Sequence, residues 1–272
     1  MCPQTSQVRR VPELIEVEAY RRLAEKRALD REIAEVVAPD AWWLKGGVTP
    51  AALADALTGR RFIAARRTGK RLLLETGDDG PVLGLRFGMT GRLLVDGYAG
   101  VDSLLYTSDR DVIGWDRLVV RFADGGDLRV RDPRRLGGAE LDPDEGRLGP
   151  DAASLGPAAL AGVLGSSRAP LKARLMDQAR LAGLGNLLVD EVLFQAGLDP
   201  AREAGSLSPA ELRRLHRWIR RTITDLDTRG GSHTGEFLPS RRPGGLCPRD
   251  GTPLVRRTVG GRTTWSCPKH QR

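Results

Sequence analysis

The sequence contains little cysteine and no long apolar segment. Only three cysteines occur among 272 residues, Cys2, Cys247 and Cys267, which excludes a disulfide framework and favours the reducing cytoplasm. No apolar run approaches the roughly 20 residues that a membrane-spanning helix needs. Residues 1–10, MCPQTSQVRR, lack the apolar centre of a signal peptide. These absences argue against a secreted or membrane protein and predict a cytoplasmic one.

Positive charge is in excess. Lysine and arginine number 43 against 35 aspartates and glutamates, which gives a net charge of +8. This balance favours a polyanionic partner, because each phosphate that a protein neutralises releases counterions. A genome rich in G and C, which prefers arginine codons, would produce the same excess, so the charge alone leaves both explanations open.

The first half of the chain predicts one helix followed by a β domain. From Pro12 to about Asp30 the residues are strong helix formers, with Pro12 expected in the first turn and Glu13 and Glu16 complementing the helix dipole. Short β-like runs then follow, separated by the turn signals GDDG, DGYAG and ADGGD. The pattern is typical of an antiparallel sandwich or barrel.

The second half changes character. Residues 140–157 are acidic and rich in glycine and proline, as in a linker, and helical periodicity follows in residues 158–240. In the remaining segment, residues 241–272, two pairs of candidate metal ligands flank a hairpin-like insert with GG at its turn. The chain is long enough to form two domains.

The terminal segment has the spacing of a zinc ribbon. Cys247 and Asp250 form one pair and Cys267 and His270 the other, each separated by two residues. Two of these four expected zinc ligands are not cysteine, and carboxylates are uncommon in closed structural sites. The alternative is a finger without zinc, held by packing around Trp265 and Leu254.

Four separated blocks resemble one family. PELIEVE, RFGMTG, DPRRLG and LMDQARLAGLGNLLVDEVLFQAGLDP, in this order, resemble motifs of the formamidopyrimidine-DNA glycosylase/endonuclease VIII family. The resemblance implies an α+β multidomain fold: an N-terminal β-sandwich (12–139) with a catalytic N-terminal helix, a linker (140–157), a helix-two-turn-helix domain (158–240) and a zinc-finger-like hairpin (241–272). The order β, linker, helix, hairpin agrees with the pattern read along the chain.

The resemblance makes Pro12 the nucleophile. In the family a proline is the mature N-terminus, and its amine attacks C1′ of a flipped nucleotide, expels the damaged base and forms a Schiff base. An α-amine has a pKa near ~8 and is partly neutral at cellular pH, whereas a prolyl nitrogen within a peptide bond is not nucleophilic. Because bacterial genes sometimes start at GTG, translation is expected to begin at Val11, which makes residues 1–11 a non-native extension. The alternative is a helix-capping proline in a catalytically inactive paralogue.

Further catalytic residues follow from the resemblance. Glu13 is expected as the general acid or base, and Glu16 matches the family's second acidic position. Lys70, before an apolar strand, matches a lysine that contacts phosphate and assists the lyase step. Arg262, in VGGRTTW at the hairpin tip, matches an arginine that grips phosphates flanking the lesion. Taken singly, each would be interpreted as a solvated surface charge.

Three residues of the first domain are expected to replace the extruded base. Met89, in GMTG, matches a wedge residue that fills the gap in the DNA stack. Arg134 would face the orphaned base, with Leu136 as its companion. The formamidopyrimidine branch has phenylalanine at the position of Leu136, which leaves the choice of lesion open.

In the helical domain, Asn186 lies in GLGN, where glycines let the backbone approach a phosphate at a helix N-terminus. Arg168 and Lys172 are expected to contact DNA nearby, and Glu191 to support them. GLG alone would also suit an ordinary turn between helices.

These observations predict a monomeric, nucleoid-associated DNA glycosylase and AP lyase that acts on double-stranded DNA with damaged bases or abasic sites. Oxidised purines are the expected lesions, because PELIEVE is closer to that branch. The alternatives are a lesion-binding protein without chemistry and a structural nucleic-acid binder such as a ribosome-associated protein. The catalytic blocks argue against the last of these.

Overall fold

The structure, a computed structural model, describes residues 12–77, 79–101 and 112–272. The chain divides into two compact units, Met1–Glu145 and Gly146–Arg272. The expected N-terminal extension, residues 1–11, lies outside the described residues. Among the residues described, no helix is long and apolar enough to cross a membrane.

The first helix, α1, runs from Leu14 to Arg27. Glu13 is its N-cap, with an extended backbone (φ −107°, ψ −172°), so Pro12 precedes the helix. The prediction that Pro12 lies in the first helical turn is therefore wrong. The reason is local: the carboxylate of Glu16 accepts the backbone N–H of Glu13 at 2.9 Å, which makes Glu13 the N-cap and starts the helix at Leu14, two residues after Pro12.

Two antiparallel sheets make up most of the first unit. The five-stranded sheet contains β1 (Ile33–Val37), β5 (Arg92–Val95), β6 (Tyr98–Ala99), β7 (Asp116–Phe122) and β8 (Asp127–Arg131), in the order β1-β7-β8-β5-β6. The four-stranded sheet contains β2 (Ala64–Thr68), β3 (Arg71–Glu75), β4 (Val82–Arg86) and β9 (Gly138–Leu141), in the order β2-β3-β4-β9. A short helix, α2, spans Pro50–Leu57. The predicted β-sandwich is confirmed.

The core of this unit lies between the sheets and α1. Alternate residues of β7, Leu118, Val120 and Phe122, are buried, as expected for a strand with one face on the core. They pack in one cluster with leucines of β3 and β4 and with Tyr20 of α1. Burial of these side chains fixes the strand register and, with it, the turns that join the strands.

The second unit is helical and ends in a hairpin. Its helices are α3 (Pro157–Leu164), α4 (Leu171–Met176), α5 (Asn186–Ala196) and α6 (Pro209–Thr228). The hairpin pairs β10 (Val255–Val259) with β11 (Arg262–Ser266), and Gly260 and Gly261 form its two-residue turn with φ of +56° and +73°. Both the helical domain and the terminal hairpin were predicted from the sequence.

Folded elements occupy both ends of the segment expected to be a linker. Strand β9 continues through Leu141, and α3 begins at Pro157. A short 3₁₀ helix, Glu145–Arg147, lies where the two units divide.

Candidate functional site

Two carboxylates lie at the start of α1. Glu13 is 1% exposed and Glu16 is 3% exposed, and Pro12 immediately before them is also buried. Glutamate is not among the residues that N-caps prefer, which are serine, threonine, aspartate and asparagine. Glu13 nevertheless closes a capping box with Glu16, in which each carboxylate accepts the backbone N–H of the other residue, so both side chains are fixed at the start of α1.

Helix α1 contacts the β4–β5 turn, residues 87–91, through Tyr20. Tyr20 of α1 is fully buried and its hydroxyl donates to the carbonyl oxygen of Gly91 at 3.1 Å. Its ring packs against Phe87, with the centroids 4.5 Å apart. Met89 lies half-buried at the tip of this turn. The helix that carries Glu13 thus also positions Met89.

A second loop, residues 132–137 between β8 and β9, lies against the same turn. A Cβ atom on Gly88, which has φ +56°, would lie 2.5 Å from the carbonyl carbon of Leu136, so the two backbones are in direct contact. Leu136 is 47% exposed, and Arg134 is exposed as well. The structure therefore brings Met89, Arg134 and Leu136 together on neighbouring loops, as the wedge assignment requires.

Asp132 holds these two loops in place. It is fully buried, and its carboxylate accepts hydrogen bonds from the Thr90 hydroxyl (2.5 Å), the Trp43 indole N–H (3.1 Å) and the Gly137 backbone N–H (2.7 Å). Thr90 belongs to one loop and Gly137 to the other. Asp132 is the first residue of the DPRRLG block, but it was not among the residues predicted for the site.

Lys70 lies half-buried in the turn between β2 and β3. This turn is attached to α1 through Arg67, whose guanidinium donates to Glu18 at 3.0 Å and to the carbonyl oxygen of Gly69 at 2.8 Å. Lys70 therefore lies on a turn that is fixed relative to α1.

In the second unit, the segment between α4 and α5 is organised by Gln178. Its amide donates to the carbonyl oxygens of Met176 (2.8 Å) and Leu184 (2.9 Å), and its own oxygen accepts the N–H of Gly183 (3.0 Å). Asn186 follows as the first residue of α5, and its buried Oδ1 has no hydrogen-bond partner among the described residues. The atom without a partner is an acceptor, so it requires a hydrogen-bond donor that the described residues do not supply. Arg168 is exposed in the connection between α3 and α4.

Lys172 does not have the expected role. It is fully buried, and its ammonium group pairs with Asp190 of α5 at 2.7 Å and donates to the carbonyl oxygen of Thr263 in β11 at 3.3 Å. Arg241 contacts the same carboxylate at 2.6 Å. The prediction that Lys172 contacts a DNA phosphate is wrong, because its charge is enclosed by protein. Lys172 instead links α4, α5 and the hairpin.

Glu191 is also structural. Its carboxylate accepts the backbone N–H of Phe237 and the side-chain amide of Gln195, each at 2.9 Å. Burial raises the pKa of this carboxyl group. A Cβ on Gly235 would lie 2.5 Å from the same carboxylate, so the backbone of residues 235–237 packs directly on Glu191. Glu191 therefore orders residues 235–237, whereas its expected supporting role in the site stays a prediction.

Arg262 is exposed at the hairpin tip, as expected. The turn before it packs on α4, since a Cβ on Gly260 would lie 2.6 Å from the Cβ of Ala173. Arg262 therefore projects from a supported turn, with its backbone paired to Val259.

Three side chains near the base of the hairpin could hold a metal ion. The ligand atoms of Cys247, Asp250 and Cys267 all lie within 4.8 Å of one another, the only such group found among the described residues. The Cys267 thiol donates to Asp250 at 3.6 Å, and the backbone N–H of Thr252 lowers the Asp250 pKa to about 2. Two thiols and an ionised carboxylate are ligands that zinc accepts, so the residues present fit three positions of a zinc site.

His270 lies outside this group, contrary to the prediction from its spacing. Its Nε2 bonds the carbonyl oxygen of Phe194 at 2.7 Å, and its ring packs edge-on against the Phe194 ring, with the centroids 5.0 Å apart. The imidazole thus satisfies a carbonyl near the end of α5. Trp265, Cys247 and Cys267 pack with Phe194 and Phe237, and Leu254 lies against this cluster.

Comparison with known proteins decides the family. Residues 11–139 match the formamidopyrimidine-DNA glycosylase N-terminal domain, and residues 148–235 match the H2TH domain of the same enzymes. The chain belongs to the formamidopyrimidine-DNA glycosylase family. It is 36% identical to a formamidopyrimidine-DNA glycosylase of Paracoccus denitrificans, with 95% of this chain and 99% of the relative aligned. A formamidopyrimidine-DNA glycosylase of Arabidopsis thaliana is 32% identical, with 96% of this chain and 71% of the relative aligned.

Solved structures of this family share the fold. A Lactococcus lactis Fpg in complex with DNA containing an abasic site is 28% identical and superposes with a TM-score of 0.81, covering 96% of this chain and 99% of that protein. A complex of the wild-type Lactococcus lactis Fpg with DNA containing N7-benzyl-Fapy-dG has the same identity and TM-score, and covers 96% of this chain and 100% of that protein.

Proposed function

We propose that this chain excises oxidised bases, chiefly purines, from double-stranded DNA and then cleaves the strand, with Pro12 as nucleophile. Membership of the family makes it a DNA glycosylase of base excision repair with AP lyase activity. The observation that carries the residue assignment is the position of Pro12 and Glu13: the proline precedes the helix and a buried glutamate follows it. In this proposal the protein binds damaged duplex DNA as a monomer at the nucleoid.

The proposed chemistry needs a free amine on Pro12. The amine attacks C1′, the glycosidic bond breaks, and the departing base takes a proton from Glu13 as general acid. The proline nitrogen loses its proton, and the C1′–O4′ bond then breaks as O4′ takes up a proton, which leaves the iminium (Schiff base) at C1′. Removal of a proton from C2′ then expels the 3′ phosphate by β-elimination. We propose that the mature chain starts at Pro12, because the nitrogen of an internal proline is an amide and lacks the required lone pair.

Borohydride trapping tests this assignment. A chain that starts at Pro12 should form a covalent adduct with duplex DNA that carries an oxidised purine or an abasic site, and Pro12→Gly should weaken the adduct. The 272-residue chain, which has an amide at Pro12, is the matched control. If the shortened chain binds damaged DNA but forms no adduct, the chain is a non-catalytic lesion-binding protein.

Met89, Arg134 and Leu136, here called the wedge surface, are proposed to fill the gap left by the flipped nucleotide. Support comes from the contact between their loops and from the carboxylate of Asp132 that joins them. Met89→Ala should reduce excision chiefly at paired lesions, where unstacking costs a few kcal/mol, and spare an abasic substrate. Equal losses on both substrates would contradict the wedge role of Met89.

Four residues are proposed to contact phosphates: Lys70, Arg168, Asn186 and Arg262. Arg262→Ala should weaken binding to damaged and undamaged duplex alike, and make the salt dependence shallower by roughly one unit. Arg256, exposed on the other strand of the same hairpin, provides the control, because Arg256→Ala removes the same charge from a different position. Similar effects of the two substitutions would show that Arg262 contributes only its positive charge and no specific phosphate contact.

Zinc is proposed to be held by Cys247, Asp250 and Cys267. When bound, it would crosslink the two ends of the terminal hairpin. Protein purified without chelator should contain close to one zinc per chain, and Cys267→Ser should lose it. Metal-free protein of unchanged stability and DNA affinity would establish the alternative, a finger held by the packing of Trp265 and Leu254.

A further inference from the structure

Trp42 is the most exposed of the tryptophans in the described residues. It is 63% exposed in the short 3₁₀ helix Ala41–Trp43, whereas its neighbour Trp43 is fully buried. Tryptophan is highly buried on average, and it is enriched at binding interfaces, where its large ring meets a polar surface. None of the roles proposed above uses Trp42.

The position of Trp42 is fixed relative to the loop that carries Arg134 and Leu136. The indole N–H of Trp43 donates to Asp132, the first residue of that loop, at 3.1 Å. Two residues beyond Trp43, the backbone N–H of Lys45 donates to the carbonyl oxygen of Ala139 in β9 at 2.8 Å. The segment 42–45 is thus held at both ends against the strand and loop of the wedge surface.

Two cations lie close to the Trp42 ring. The Lys45 ammonium group is 4.4 Å from the ring centroid and also donates to the Trp42 carbonyl oxygen at 3.0 Å. The Arg135 guanidinium is 4.7 Å from the same centroid. Arg135 lies between Arg134 and Leu136, so the indole is next to the wedge surface itself.

The charge of Arg135 is already engaged. Its guanidinium donates to Asp40 at 2.7 Å, and this carboxylate neutralises much of its attraction for a phosphate. The main contact left to Arg135 is the one with the Trp42 ring. Trp42 has no charge of its own. The chemistry of this position is therefore that of an indole that stays 63% exposed while two cations lie over its ring, and proteins combine aromatic rings with such cation–π contacts where they stack on unpaired bases.

We infer that Trp42 is a further DNA-binding residue, which stacks on a nucleobase exposed in the strand opposite the lesion. This inference rests on the proposed function. Paired bases in an intact duplex are covered by their neighbours, so an indole gains a stacking partner only where the stack has been opened. Insertion of the wedge surface opens the stack at this point, because Trp42 is joined to the wedge loop by Arg135 over its ring and by the hydrogen bond of its neighbour Trp43 to Asp132.

The test compares binding of the full chain to two duplexes: one that contains tetrahydrofuran, an abasic-site analogue that cannot form a Schiff base, and one that is undamaged. Trp42→Ala should weaken binding to the tetrahydrofuran duplex by about 10-fold, within the range for loss of one stacked base. Binding to undamaged duplex and the salt dependence of both affinities should stay unchanged. Trp42→Phe should retain most of the affinity, because it keeps an aromatic face.

Tyr98 supplies the matched control. It is another exposed aromatic of the same unit, 55% exposed, and Arg27 lies 3.5 Å from its ring centroid. Tyr98→Ala should leave both affinities unchanged. An equal effect of Trp42→Ala and Tyr98→Ala on the tetrahydrofuran duplex would show that general surface changes, not stacking, account for the loss.

Three results would overturn the inference: unchanged binding by Trp42→Ala, equal weakening on both duplexes, or a salt dependence shallower by about one unit, which indicates a backbone contact. Fluorescence gives a second measurement that does not need the alanine variant to fold. Emission of the wild type should be quenched by the tetrahydrofuran duplex more than that of Trp42→Phe. Neither readout requires catalysis. Absence of base excision by the wild type would therefore reject the proposed function, whereas the binding comparison alone would decide the role of Trp42.

Discussion

Asp132→Ala should lower the free energy of unfolding far more than Asp132→Asn, because alanine removes the hydrogen-bond acceptor whereas asparagine removes only the charge. The carboxylate is fully buried and receives three hydrogen bonds, from Thr90, Trp43 and Gly137. In Asp132→Ala, the Trp43 and Gly137 donors remain buried without an acceptor. Each unsatisfied donor costs about 1–3 kcal/mol, so we expect a destabilisation of about 4 kcal/mol.

Asp132→Asn should be much milder. The amide oxygen can still accept the N–H groups of Trp43 and Gly137, and the new NH₂ group can donate to the hydroxyl of Thr90, which accepts as readily as it donates. All three contacts survive as neutral hydrogen bonds, so we expect a loss of about 1 kcal/mol.

Urea unfolding followed by tryptophan fluorescence measures both variants, since Trp43 reports directly on this unit. Asp55→Ala is the control, because Asp55 is an exposed carboxylate on α2. Function should follow the same order, with excision at paired lesions reduced more by Asp132→Ala than by Asp132→Asn. A loss below about 1 kcal/mol for alanine, or equal losses for alanine and asparagine, would refute the proposed role of Asp132.

Other substitutions probe the remaining buried and strained groups. Asp190→Ala leaves the Lys172 ammonium group buried without its partner and should cost about 3–5 kcal/mol, measured as a lower melting temperature. Hydrogen bonding from Arg202 lowers the pKa of Glu211 to about 2, so this carboxylate stabilises the fold above its unfolded pKa of ~4.3 and ceases to do so as the pH falls towards 2. Glu211→Gln should therefore cost about 1 kcal/mol at pH 7 and clearly less at pH 2, where the carboxylate is about half protonated, as followed by urea titrations at each pH. Gly88→Ala places a Cβ at φ +56° against the neighbouring backbone and should cost about 3 kcal/mol in urea unfolding, whereas a loss below 1 kcal/mol would show that the turn can move.

The sequence by itself determined the family, the order of the domains and the secondary structure of most segments. These features depend on local patterns: alternation of apolar residues in strands such as β7, helical periodicity in the second half, and a GG pair between two strands, which suits the positive φ angles of a two-residue hairpin turn. The motif blocks added the positions of Met89, Arg134 and Leu136, which the structure places on adjoining loops.

Only the tertiary structure decided which polar side chains are available to a ligand. The sequence around Lys172 does not show that Asp190, 18 positions later, pairs with its buried charge. The sequence around His270 does not show that its imidazole bonds the carbonyl oxygen of Phe194 and lies outside the metal group. The same applies to Asp132, whose partners Trp43 and Thr90 are 89 and 42 positions away. Local sequence sets backbone preference and hydrophobic pattern, whereas the burial and pairing of a charge depend on residues that only the folded chain brings into contact.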